Sequence, residues 1–148
     1  MADFVRLPDV AMVALRMRND ASHQLPAVGK SLMLGPDTAV AIGPDEWLII
    51  APDADAAALS KHATIFGGVP VDVSGNRIRY RIQGKDARWL LAAGISLDID
   101  HLATGDAVST LFARAQVILV VEGEDRFLVL PRRSFGRYLE DWVSAVND

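Results

Sequence analysis

VDVSGNRIRYRIQGKDARWLL, residues 71–91, carries the fold decision. Its middle alternates strictly: Arg77, Arg79 and Arg81 fall on one side of an extended chain, and Ile78, Tyr80 and Ile82 on the other. Such alternation predicts a strand with one apolar face, and the GKDARWLLAAG that follows predicts a helix. Ala87, Leu90 and Leu91 lie there at helical spacing, with Gly94 placed to end it. VPVDVS precedes the arginine strand across a Ser-Gly-Asn turn, so these two segments are expected to pair antiparallel.

Working outward, VAMVALRMR (10–18) predicts a first strand with Val13, Leu15 and Met17 inward and Arg16 and Arg18 outward. NDASHQLPAVGKSLMLGPD reads as loop, punctuated by Pro26, Gly29, Gly35 and Pro36. TAVAIGPDEWLIIAP predicts a hairpin turning on GPDE, with Trp47 opening its second strand. The alanine-rich DADAAALSKHA predicts a helix capped by Asp53, and Gly67 and Gly68 then break the chain. VSTLFA, AQVILVV and DRFLVLP predict a meander with its last turn at GED. In the closing helix Phe135, Tyr138, Leu139, Trp142, Val143 and Val146 form one stripe, with Ser134 as N-cap. Strand pairs followed by a helix occur twice, which predicts an α+β fold of antiparallel sheets with helices packed on one face. The expected organisation is a single domain over residues 1–148, or two intimately packed half-modules.

Composition narrows the function classes. A chain of 148 residues with 51% hydrophobic and 23% charged residues is globular in type and long enough for a sizeable core. Its net charge of -4 sets a whole-molecule field that repels phosphate backbones, which argues against nucleic acid. No cysteine is present, so disulfides, thiolate metal sites and a cysteine nucleophile are excluded together. MADFVRLPDVAMVALRMR lacks the layout of a secretory signal, and apolar runs such as QVILVV are too short for a spanning helix. The expected compartment is the cytoplasm, with no membrane association.

Reactive groups are sparse. LDIDH sets Asp98 and Asp100 two apart beside His101, an arrangement open to acid, base or metal chemistry, or to simple solvation. His23 and His62 have no partner histidine at helical spacing. The glycines of IFGGVPVDVSGNR match neither dinucleotide nor phosphate-loop spacing, and no serine lies in a nucleophile elbow. Arg132 and Arg133 in PRRSF precede a helix N-terminus, where the macrodipole repels cations; a paired acid, a bound anion, an acidic protein surface or solvation would each offset this. Trp47 and Trp142 read as core, whereas Trp89 reads either as a protein contact or as edge packing.

Three runs, LGPDTAVAIGPDEWLIIAP, VDVSGNRIRYRIQGKDARWLLAAGISLDI and FARAQVILVVEGEDRFLVLPRRSFGRYLEDWV, together resemble the gamma subunit of heterotetrameric sarcosine oxidase. That family is in turn similar to the folate-binding domain of glycine-cleavage aminomethyltransferases. The resemblance implies an aminomethyltransferase-like α+β fold and a noncatalytic subunit that assembles or stabilises a complex demethylating sarcosine oxidatively. It implies alpha, beta and delta partner subunits, the large alpha subunit foremost. FAD, FMN, NAD, tetrahydrofolate and zinc are implied on those other subunits, with no catalytic, cofactor or metal residue in this chain. Arg77, Arg79, Arg81, Trp89, Arg132 and Arg133 are the candidate partner-binding residues, and the arginine strand is expected to present an open face that meets either water or a larger subunit. Two rivals stand: a stand-alone folate-binding or one-carbon transfer protein, and a free domain that self-associates when isolated. The loop NDASHQLPAVGKSLML departs from the resemblance beyond its Leu-Pro.

Overall fold

The computed structural model describes residues 1–18, 25–65 and 67–147. The arginine strand belongs to the first of two compact units, formed by Met1–Pro8 and Asn76–Asp148. Its sheet has five strands in the order β1-β7-β10-β9-β8, where β1 is Asp3–Arg6, β7 Tyr80–Gln83, β8 Ala107–Phe112, β9 Ala115–Gly123 and β10 Arg126–Pro131. All pairings are antiparallel. Helices α2 (Ala87–Gly94) and α3 (Gly136–Asn147) contribute Leu90, Leu91, Leu139 and Val143 to a core with Ile82, Leu119, Val121, Phe127 and Val129. The alternation read from the sequence therefore holds on its apolar side, where Ile78, Tyr80 and Ile82 are all buried.

The expected partner of that strand is corrected. VPVD forms β6 (Val69–Asp72) in the second unit, Asp9–Gly75, and pairs with β2 (Ala11–Arg16). β7 instead pairs with β1 on one side and β10 on the other. The Ser-Gly-Asn stretch thus lies where the chain passes from one unit to the other, and proximity along the chain misled the expectation. The second sheet runs β3-β4-β5-β2-β6, adding β3 (Ser31–Leu34), β4 (Asp37–Gly43) and β5 (Glu46–Ala51). Its core gathers Leu15, Met17, Ala39, Ala41, Trp47 and Ile49 beneath Leu59 and Ala63 of α1 (Ala56–Ile65). Val13, Leu15 and Met17 are inward as expected, but Met12 is buried too, because both faces of β2 carry apolar side chains.

Local chemistry explains the ends. The GPDE turn forms, with Asp45 in the left-handed region at φ 56°. Asp55, not Asp53, caps α1, accepting from the Ala58 N–H at 2.7 Å. Ser134 is not a cap: it lies inside a 3-10 turn, Arg133–Phe135, that leads into α3. The meander is as expected, yet the β8–β9 turn has no glycine, and Ala113 (φ 49°) and Arg114 (φ 71°) adopt positive φ. Two long-range bonds hold this strained turn, Ala113 N–H to the Gly94 carbonyl at 3.0 Å and Tyr138 hydroxyl to the Ala113 carbonyl at 2.6 Å.

Gly94 ends α2 as expected, for a steric reason the sequence does not display. A Cβ there would stand 2.6 Å from the Phe112 ring and 2.8 Å from Trp142, whose rings pack edge to face at 5.2 Å. Gly94→Ala is therefore expected to destabilise the chain by about 1–3 kcal/mol through overpacking, read as a lowered midpoint in urea denaturation.

Candidate functional site

Burial sorts the arginines of the first unit. Arg77, Arg79 and Arg81 are half-buried, on the face that also carries buried Ile118, Val120, Leu128 and Leu130. The open arginine face is therefore corrected. A desolvated guanidinium needs acceptors, and each has one nearby: Arg77 Nη1 donates to the Leu130 carbonyl at 2.8 Å and Arg79 Nη2 to the Pro8 carbonyl at 2.8 Å. Arg81 Nε donates to Glu122 Oε1 at 3.2 Å. These bonds tie β7 to its two neighbours and to the sheet beyond, a structural use of the strand.

Arg132 and Arg133 follow β10 directly. The backbone of Arg132 bridges that of Arg77, Arg133 N–H donates to the Asn76 carbonyl at 2.8 Å, and Arg133 Nη2 reaches the Arg77 carbonyl at 3.4 Å. Arg77 is held below the usual guanidinium range by burial and then by the like charge of Arg132. The structure thus brings Arg77, Arg132 and Arg133 together at the head of α3. Arg79 and Arg81 continue along the strand. Trp89 stands elsewhere, on the outer side of α2 at 59% exposure, so the edge-packing alternative does not describe it.

Two residues near that corner escaped the sequence reading. Arg6 lies on β1, a strand not anticipated from DFVR, and registers opposite Tyr80. Arg137 is the second residue of α3 and exposed; its position on the polar side of the helical stripe was legible, its neighbours were not. Beneath them Tyr80 is fully buried, stacked on Phe4 at 4.5 Å, and its hydroxyl makes no hydrogen bond. Burial, then the negative charge of Glu140, pushes this hydroxyl up to about 12. Phe4, Arg6, Tyr80, Glu140 and Ser144 line an open groove of about 500 Å³ between β1 and α3.

The remaining candidates are dispersed. Asp98, Asp100 and His101 sit exposed around a 3-10 turn, where Asp98 Oδ1 accepts from the Asp100 N–H at 3.1 Å and its other oxygen pairs with His101. His62 is on α1, and His23 lies outside the described residues. Among the described residues no group of three or more His, Cys, Asp or Glu is placed to hold a metal ion, and no helix is long and apolar enough to cross a membrane. Trp47 is core as expected, its indole N–H donating to the Pro26 carbonyl at 2.9 Å. In the second unit Val69 and Val71 of the edge strand β6 are exposed, and with Ala14 and Ile42 they line an apolar groove of about 240 Å³.

This architecture aligns over 96% of the chain with heterotetrameric sarcosine oxidase from Corynebacterium sp. U-96 in complex with pyrrole 2-carboxylate, at a TM-score of 0.85 and 23% identity, covering 81% of that chain. It aligns over the same share with glycine cleavage system aminomethyltransferase T from Bartonella henselae, at a TM-score of 0.71 and 16% identity, covering 45% of that chain. The two antiparallel sheets and their helices thus make an α+β protein of aminomethyltransferase-like fold. Sarcosine oxidase subunit gamma from Arthrobacter sp is 33% identical over 106 residues, covering 69% of this chain and 52% of that protein. The same subunit from Corynebacterium sp. (strain P-1) is 32% identical over 106 residues with the same coverage. Residues 9–147 match the sarcosine oxidase gamma subunit family, and the chain belongs to it. It spans about half the length of the curated relatives it matches.

Tyr80 yields a pH prediction. Its folded value near 12 exceeds the ordinary value of about 10, so the neutral hydroxyl favours the fold below pH 10. That advantage is lost as pH rises from about 10 through about 12. Tyr80→Phe is expected to leave stability unchanged or slightly raised at pH 8, because the hydroxyl has no partner to lose, and to flatten the fall between pH 10 and 12 in urea denaturation.

Proposed function

We propose that this chain is the noncatalytic gamma subunit of a heterotetrameric sarcosine oxidase-type complex, which it helps to assemble or stabilise. The observation that carries this reading is the family match over residues 9–147, nearly the whole chain. The side-chain chemistry supports it. Asp98, Asp100, His101 and His62 are exposed, while Trp89, Val69 and Val71 are large apolar side chains left on the surface, as expected of a protein that works by contact.

In this reading alpha, beta and delta subunits are the partners, the large alpha subunit foremost, and the compartment is the cytoplasm. The complex demethylates sarcosine oxidatively, and FAD, FMN, NAD, tetrahydrofolate and zinc reside on the other subunits. A second reading, a folate-binding or one-carbon transfer protein acting alone, is favoured by the fold shared with aminomethyltransferase T. The chain covers 45% of that protein, which weighs against an enclosed folate site built by this chain alone.

Co-expression with the candidate flavoprotein subunits separates the two. The chain is expected to co-purify with them, and alone to be colourless, inert toward sarcosine and without measurable tetrahydrofolate binding in calorimetry. Omitting it is expected to lower the thermal midpoint or yield of the assembled flavoproteins while leaving turnover per intact complex unchanged. Flavin absorbance or micromolar folate binding by the isolated chain overturns the proposal.

A further inference from the structure

The head of α3 concentrates positive charge in a chain whose net charge is -4. Arg77 and Arg132 are cross-strand neighbours, Arg133 binds back to the Asn76 and Arg77 carbonyls, and Arg137 follows one turn after Arg133. Gly136 makes this crowding feasible. A Cβ there would stand 2.4 Å from Ile78 and 3.0 Å from the Tyr80 hydroxyl, so the helix head lies directly on β7 and its approach. Arg6 reaches the same corner from β1, close enough to Tyr80 that it and Arg133 both act on the hydroxyl.

Three terms work against this arrangement. Like charges one helical turn apart repel, the positive end of the α3 dipole repels all of them, and the burial of Arg77 lowers the dielectric around it. Among the described residues, Arg6, Arg77, Arg132 and Arg137 make no ion pair with a carboxylate, although Asp141 lies one turn beyond Arg137 and Glu140 stands near Tyr80.

We propose that the cationic corner formed by Arg6, Arg77, Arg132, Arg133 and Arg137 docks an acidic, Asp- or Glu-bearing segment of a partner subunit. This rests on the reading of the chain as a subunit of a complex. Charge complementarity selects the occupant. Guanidiniums bind carboxylates through paired N–H donors, and here they come from β1, the approach to β7, the exit of β10 and the first turn of α3, a spread that suits several carboxylates on a surface. A long nucleic acid would also meet the field of the whole acidic chain, which opposes it, whereas a local acidic segment feels mainly the corner.

The test uses the full chain co-expressed with the other subunits. Arg132 and Arg137 are both exposed, so Arg132→Glu/Arg137→Glu removes and reverses charge where little packing is lost. The amount of chain co-purifying at about 150 mM salt is expected to fall about tenfold for this variant and to be restored in Arg132→Lys/Arg137→Lys. Wild-type co-purification is expected to weaken as salt is raised. Circular dichroism melting of each variant checks the fold, and Arg132→Gln/Arg137→Gln, with a smaller loss in the same direction, replaces the reversal if that fails to fold. Unchanged co-purification of a folded reversal variant overturns this inference and leaves the subunit reading standing. Failure of the wild type to co-purify at any salt overturns both. Duplex DNA binding at the same salt, abolished in the reversal variant while co-purification is unchanged, also overturns it in favour of nucleic acid.

Discussion

Strand β7 has no hydrogen-bonding neighbour close to it in sequence, and the first unit depends on this. Its partners are β1, more than seventy residues earlier, and β10, more than forty later. Until both arrive, Tyr80 and Ile82 have no strands to pair between, and the sheet under the helices stays limited to the β8–β9–β10 meander, so completing the unit waits on non-local pairing. The alternation in RIRYRIQ secures the register. A slip by one residue would turn the arginines into the helix-covered core and take Ile78, Tyr80 and Ile82 out of it.

From that register the corner at α3 follows. Arg77 opposes Arg132 because β7 and β10 are aligned through Phe127↔Ile82 and Val129↔Tyr80. The 3-10 turn then lifts the chain onto the other face, and Gly136 is the residue small enough to touch Ile78. The N-terminal end of β1 is tied to the same helix at its far end, where Asn147 Nδ2 donates to the Ala2 carbonyl at 3.2 Å. Helix α3 is thus fixed at its head by the close approach of Gly136 to Ile78 and at its far end by this hydrogen bond, with the apolar packing between them.

What could be read from sequence was whatever is encoded locally. The GPDE hairpin and the two turns of the meander each depend on residues close in sequence and appear as expected, whereas the α3 stripe holds only in part, with Leu139 and Val143 buried but Phe135 and Tyr138 exposed. The misses share a cause. β1 (DFVR) and β3 (SLML) are four-residue edge strands without clean alternation, which exist because a neighbour offers a free edge. The wrong pairing of β6 with β7 took adjacency in the chain for adjacency in the sheet. The β8–β9 turn lacks glycine because Gly94 and Tyr138, both distant in sequence, hold Ala113 in place. The candidate site divided along the same line. PRRSF was conspicuous as a charge conflict, but its meeting with Arg77, and the addition of Arg6 and Arg137, needed the register of a sheet assembled across the chain.

The same side chain does two jobs here, and water decides between them. Where guanidiniums are half-buried they need acceptors in place of water, and Arg77, Arg79 and Arg81 each place one guanidinium nitrogen on an oxygen within the unit. Where they are exposed, solvent meets that need at little cost, and among the described residues Arg132 and Arg137 make no ion pair with a carboxylate. Solvation makes such a cluster tolerable in the free chain. It is also what an acidic partner would displace, and the release of mutual repulsion among the arginines would add to each new pair. Arg79 and Arg81, which already donate to the Pro8 carbonyl and to Glu122, would contribute less to that exchange than the exposed Arg132 and Arg137.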